Sequence, residues 1–211
     1  MNRRIVAVLA LTALIMLSGC ALLTGETLEF TAGQASVSDE AQQTAQYELL
    51  EMDTQSINRT VEALGQDRTV KATNHIARYE RGLAVTTTET VGTVVVISTP
   101  QMNVAGQSVN PVGSMPPQQL LETVAAGQDG FSDVSQRENR TMTVLGEDAT
   151  VTVFDATTEY GGQSVDVTVH LVRVTHEGDY VIGLAVHPTL ISGEQAGVDT
   201  MFGGIEHTGT D

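Results

Sequence analysis

The chain has 211 residues, 26 acidic against 10 basic side chains and a formal net charge of −16, a balance that excludes a phosphate-backbone reader, which needs clustered Lys and Arg. Cys20 is the one cysteine, so intrachain disulfides and thiolate metal cages are excluded and a hydrophobic core must hold the fold. Lys71 is the sole lysine and tryptophan is absent.

Residues 1–19 have the layout of an export signal: Arg3 and Arg4, an apolar run from Ile5, and the small residues Ser18 and Gly19 before Cys20. As a helix, the uncharged run Ile5 to Ala21 spans about 25 Å, short of the roughly 30 Å hydrocarbon core, so a processed signal is expected here, not a membrane span. Leu17-Ser18-Gly19-Cys20 resembles a prokaryotic lipobox, in which the thiol takes a lipid and the chain is cut just before it. That implies a mature protein attached to the membrane through Cys20 and facing outward. The arginine pair fits either general secretion or the twin-arginine route.

Loss of the signal leaves about 190 residues, enough for one domain with a short tether. Residues 20–37 are expected as the tether, with Leu28 and Phe30 as first contacts, and 38–211 as one α+β domain. Ser38-Asp39-Glu40 predicts a helix N-terminus over 38–46. From Tyr47 the texture is β, and Leu64-Gly65-Gln66-Asp67 marks the turn of an N-terminal hairpin. Variants of that turn recur at Ala105-Gly106-Gln107, Leu145-Gly146-Glu147-Asp148 and Gly161-Gly162-Gln163. Strands follow each, so they are hairpin turns and not phosphate cradles, which need a following helix.

Val94 to Ile97 reads as a buried strand, followed by a long connection, Thr99 to Met115, of the kind that is functional or disordered in a compact domain. Asn103, Gln107, Ser108 and Asn110 give it uncharged hydrogen-bonding groups and are the candidate binding residues. The alternative is a packed cover in which Met102, Val104, Val109 and Val112 plug the sheet. Pro116-Pro117 open a helix over 117–126 with Leu120, Leu121 and Val124 as its stripe.

Strands near 137–145, 149–159, 163–175 and 180–187 with short turns predict a four-strand antiparallel meander. Val165, Val167, Val169 and Leu171 alternate with Asp166, Thr168 and His170, as in a sheet with one dry and one wet face. A terminal helix is expected from a Ser192/Gln195 capping box, with Val198, Met201, Phe202 and Ile205 as its stripe. Two or three helices then cover the buried face.

This order of elements resembles a family of haloarchaeal lipoproteins of unknown function. Thr99-Pro100, Gly106-Gln107-Ser108, Asn110-Pro111-Val112-Gly113, Leu145-Gly146 and Phe202-Gly203-Gly204-Ile205-Glu206-His207 carry the resemblance. More remotely, the order is similar to the PsbP/DcrB-like α/β sandwich. The composition points the same way: acid excess with almost no lysine looks like proteins built for molar salt, where the Debye length falls to about 3 Å and self-repulsion is screened.

No catalytic constellation stands out. His75, His170, His176, His187 and His207 lack metal-ligand spacing, and no nucleophile elbow is present. Calcium at Asp129, Asp133 or Glu147-Asp148 has no EF-type loop behind it. Asn58-Arg59-Thr60 and Asn139-Arg140-Thr141 are glycosylation sequons. The expectation is a non-catalytic envelope module without cofactor or metal, binding a protein, a glycan or a small ligand between sheet and helices. The rival is an envelope hydrolase using carboxylates.

Overall fold

The computed structural model describes residues 27–63, 66–82, 90–104, 106–126, 130–160 and 162–209. The signal, Cys20, the Leu64-Gly65 turn and Asp129 lie outside the described residues.

The elements run β1 (Leu28–Thr31), β2 (Gln34–Val37), α1 (Asp39–Ala45), β3 (Glu48–Ala63), β4 (Gln66–Gly82), β5 (Thr90–Pro100), β6 (Asn103–Val104), β7 (Gln107–Ser108), a 3₁₀ turn (Pro111–Gly113) and α2 (Pro117–Ala125). They continue as β8 (Ser132–Val144), β9 (Glu147–Tyr160), β10 (Gln163–His176), β11 (Asp179–Pro188), α3 (Glu194–Gly203) and β12 (Ile205–Thr208). This is an α+β fold: one large sheet with helices on both sides.

The sheet path is β4-β5-β11-β10-β9-β8, with β3 along the outer side of β4. β1 is parallel to β4 at Val70–Thr73, whereas β5 pairs with β4 from His75 onward. The meander is therefore present, joined to the N-terminal hairpin through β5. Its turns are tighter than expected: Leu145 (φ 53°) and Gly146 (φ 79°) make one two-residue connection, Glu177 (φ 46°) and Gly178 (φ 87°) another, and pairing resumes at Glu147 and Asp179. Left-handed backbone at both central positions matches the twist of an antiparallel ribbon.

Five expectations are corrected. The stretch 28–37, assigned to the tether, supplies β1 and β2, because Ala32, Ala35 and Val37 are buried against the sheet and its cover. Thr168 and His170 do not face water: they are 3% and 1% exposed. The helices do not share one face. α2 packs with Phe154, Val169 and Leu171, whereas α1, α3, β2 and β12 pack on the opposite side with Tyr79, Val96, Val151 and Val172. The alternation of β10 is real, but both of its faces are covered.

Finally, Ser192 and Gln195 make no capping box. Helix α3 starts at Glu194 behind Gly193 (φ 90°), which offers no side-chain cap. Glu194 turns inward, 2% exposed, and its Oε1 meets Arg81 Nη1 at 2.9 Å. That half-buried pair sets the helix start, and a carboxylate in the first turn also suits the helix dipole. Ile205 leaves the helix altogether and pairs with Val37 in the β2–β12 ribbon. The helix ends at Gly203 with Gly204 as C-cap, and a Cβ at Gly204 would stand 2.2 Å from that of Ala41.

Candidate functional site

The 99–115 connection is ordered by its own residues. β6 and β7 form a small hairpin closed at Gly106 (φ 80°), which leaves Met102 and Val104 buried against Val70 and Ala72. Asn110 is 5% exposed and ties the loop together. Its Nδ2 donates to Pro100 O at 2.7 Å and Thr99 Oγ1 at 3.1 Å, and its Oδ1 accepts from Val112 N at 3.0 Å. Asn103, Gln107 and Ser108 are exposed on the hairpin. The connection is a packed cover, with three of the four candidate polar groups on its outside and the fourth bound inside.

Between this cover, α2 and the β3–β4 hairpin lies a groove of about 230 Å³. Ile57, Val61, Val70, Ala72, Ile76 and Ile97 form its floor; Met102, Val109, Met115, Leu120 and Val124 form its walls. The floor follows from strand alternation: the even positions of β4 from Val70 to Ile76 all point to this side, opposite Ala77 and Tyr79. The walls stop short because α2 has nine residues and reaches the sheet mainly through Leu120 and Leu121. Gln55, Thr99, Asn110 and Thr123 also line it, and two further polar residues, Asn74 and Arg59, lie on its floor side. Asn74 is 8% exposed, and its Oδ1 is buried without a hydrogen-bond partner. Arg59, cross-strand from Val70, lines the same groove. A buried acceptor left unpaired costs about 1–3 kcal/mol, so a donor supplied by a ligand would recover that cost.

Two polar clusters lie on the opposite face. His170 Nε2 and His187 Nε2 are 3.1 Å apart with stacked rings. Burial, then the neighbouring His187 and Arg140, push the His170 imidazole down to about 3. Burial also lowers His187. Two neutral rings that hydrogen-bond to each other are held in place but are poor proton acceptors. The Arg140–Asp199 ion pair flanks them. Nearby, burial and the Glu194 carboxylate raise the Tyr47 hydroxyl above its ordinary range.

The second cluster gathers Ser98, Asp179 and His207. It is not a nucleophile triad. Ser98 Oγ (3.3 Å) and Asp179 Oδ2 (3.0 Å) address the same nitrogen, Nε2, whereas a triad places nucleophile and carboxylate on opposite ring nitrogens. Ser98 is also 0% exposed, out of reach of a substrate.

Sequence reasoning missed Asn74, whose significance depends on what fails to reach it, and the cluster around His207, whose partners lie far away in the chain. The sequon residues Asn58 and Asn139 both sit on exposed strand positions, and Asn139 Oδ1 accepts from Gln136 Nε2 at 3.1 Å. Asp133 and the Glu147-Asp148 pair are exposed. Among the described residues no helix is long and apolar enough to cross a membrane.

Among solved structures, the chain is similar to cyanobacterial PsbP from Synechocystis sp. PCC 6803 at 11% identity. The match covers 85% of this chain and 94% of that one, with a TM-score of 0.42. It is also similar to PA94 of Pseudomonas aeruginosa, a protein of unknown function, at 12% identity over 63% of this chain and 83% of that one, with a TM-score of 0.29. Neither likeness bears on activity. No curated protein sequence matches the chain. The profile of the domain of unknown function DUF6517 matches residues 34–206, and the chain belongs to that family.

Proposed function

We propose that this is a lipid-anchored, outward-facing envelope protein of a halophile whose domain binds a small, largely apolar ligand without chemically changing it. The groove carries this reading. It is mostly apolar on floor and walls, contains one buried acceptor without a partner, and among the described residues no carboxylate or histidine lines it. Binding sites of this kind bury apolar surface for affinity and use one or two placed polar groups for orientation. A ligand donor facing Asn74 Oδ1, with an acidic or polar end toward Arg59, fits that distribution.

The anchor rests on Leu17-Ser18-Gly19-Cys20 behind a basic and apolar leader, and the saline setting on the acid excess with Lys71 as sole lysine. Metabolic lipid labelling and fractionation should show Cys20→Ser unlabelled and released from the membrane. A serine variant that stayed membrane-bound as a cleaved species would exclude Cys20 as the anchor.

The groove is tested with a fluorescent alkyl carboxylate titrated against the purified protein and against Ala72→Phe, which places a ring on the groove floor. The expected result is one saturable site, weakened at least about tenfold in Ala72→Phe, a loss of about 1.4 kcal/mol. Equal binding to both proteins would place the ligand elsewhere.

A further inference from the structure

The turn between β10 and β11 and strand β12 bring together three side chains of metal-ligand type. His176 ends β10, Glu177 opens the turn after it, His207 lies on β12, and one ligand atom from each falls within 4.8 Å of the others. His207 Nδ1 is 3.9 Å from Glu177 Oε2, and the His176 and His207 rings meet edge to face with centroids 5.6 Å apart.

A second observation shows which atom faces the cluster. The His207 side chain is 0% exposed, and its Nδ1 has no hydrogen-bond partner. Its other nitrogen is occupied: Nε2 lies 3.0 Å from Asp179 Oδ2. That oxygen also accepts Gly33 N at 2.6 Å, so it is fixed as an acceptor and takes a proton carried on Nε2. With the proton there, Nδ1 keeps a lone pair, buried and directed at His176 and Glu177. A carboxylate behind a histidine in this way sets its tautomer and orientation and raises its basicity as a metal ligand.

We propose that His207 Nδ1, a ring nitrogen of His176 and Glu177 Oε2 form a binding site for a divalent first-row transition ion of the Zn²⁺ type. Two imidazoles and one carboxylate suit such an ion, whereas Ca²⁺ and Mg²⁺ take six or more oxygens. An ion about 2.0–2.2 Å from each donor requires the donors to close in from their present spacing. Glu177 is exposed on a two-residue turn, its Oε2 also accepting Gly209 N at 2.9 Å, and His176 is half-buried, so the closing in falls to these two side chains while Asp179 holds His207 in place. Asp179 is a positioning residue. The ion would clip the β10–β11 turn to β12, and through β12 to β2.

The full chain, stripped with chelator, is titrated with Zn²⁺ in a buffer containing millimolar Mg²⁺ and Ca²⁺, which occupy the many surface carboxylates. Calorimetry should show one equivalent bound. The melting temperature should rise by about 5–10 °C at a hundredfold excess over Kd. Co²⁺ in place of Zn²⁺ should give the visible bands of a low-coordinate nitrogen–oxygen site. His176→Ala and Glu177→Gln should each weaken binding at least about a hundredfold and abolish the bands. Glu177→Gln, exposed on its turn, keeps the test valid should His176→Ala lower the metal-free melting temperature. Zn²⁺ binding unchanged in both variants, displacement by the Mg²⁺ and Ca²⁺ present, or no uptake at about 100 µM Zn²⁺, many times a structural-site Kd, would overturn the proposal.

Discussion

The two faces of the sheet are built from the same valine-rich strands and finish differently. On one side α3 brings Val198, Met201 and Phe202, each 0% exposed, against Val96, Val151 and Val172, while α1 and the β2–β12 ribbon close the remaining area. Tyr79, also 0% exposed, accepts Val37 N on its hydroxyl oxygen at 2.7 Å. On the other side α2 and the 99–115 cover seal Phe154 and Leu171 but leave the β3–β4 end open as a groove. Alternation along a strand decides which residues face which side. It does not decide whether that side is closed. Closure depends on how many elements the chain brings back to it: the α3 side receives two helices and the β2–β12 ribbon, the groove side one helix and the 99–115 cover.

The contrast can be broken most sharply at Phe202. Phe202→Ala removes the largest side chain under α3 from a site with little room to collapse, so a loss of about 3–5 kcal/mol is expected in urea or thermal unfolding. Leu120→Ala, at the open groove, should cost nearer 2 kcal/mol, since solvent can enter the space it leaves. Equal losses at the two positions would mean that the groove side is as tightly closed as the other.

Acid should weaken the closed side next. Burial holds His170 and His187 below their ordinary value of 6.5, so below that pH the unfolded chain binds protons that the folded chain does not. The stability they contribute is complete above about pH 6.5 and is lost as pH falls below it, down to about 3 for His170, by up to about 1.4 kcal/mol per pH unit for each ring while it titrates. Melting curves between pH 7 and about 5, above most carboxylate titration, should show the decline, and His170→Gln should flatten it. A wild-type curve flat over that window would mean that the rings are hydrated.

Smaller effects separate the cover from the groove. Asn110→Ala deletes three hydrogen bonds that order the cover and should cost about 1–3 kcal/mol. Gln107→Ala, on the exposed hairpin, should stay within about 0.5 kcal/mol of wild type. Asn74→Leu replaces a buried, unpartnered acceptor with apolar volume, so its stability should match or exceed wild type while probe binding falls. A strongly destabilised Asn74→Leu would show that the amide has a structural partner, such as an ordered water.

What the sequence displayed was local. The meander was readable because Val165 to Leu171 alternate and short turns leave antiparallel pairing as the only connection. The first helix was readable because Ser38 caps it, as its Oγ accepts Ala41 N at 3.4 Å. What stayed hidden was whatever distant residues decide. Ser192 and Gln195 have capping-box spacing, yet the Arg81–Glu194 pair moves the start of α3. Ile205 continues a helical stripe in sequence but is claimed by Val37. Asn110 looked free for a partner because the carbonyl of Pro100 and the amide of Val112 could not be seen to converge on it. The groove was unreadable for the same reason, since a gap has no residues of its own.

The β2–β12 ribbon also bears on how the domain is made. Thr208 Oγ1 donates to Gln34 O at 3.2 Å across 174 residues of chain. Contacts of such separation raise contact order and slow folding, because the entropy of closing the loop is lost before the contact rewards it. In chain order β2 emerges early and its partner strand nearly last, so Ala35 and Val37 must wait through the growth of the entire sheet for Ile205 to cover them. Such a domain finishes folding from its C-terminal side. A chain stalled before Ile205 would carry a formed meander beside an unpaired strand edge, the kind of surface that recruits chaperones or neighbouring copies.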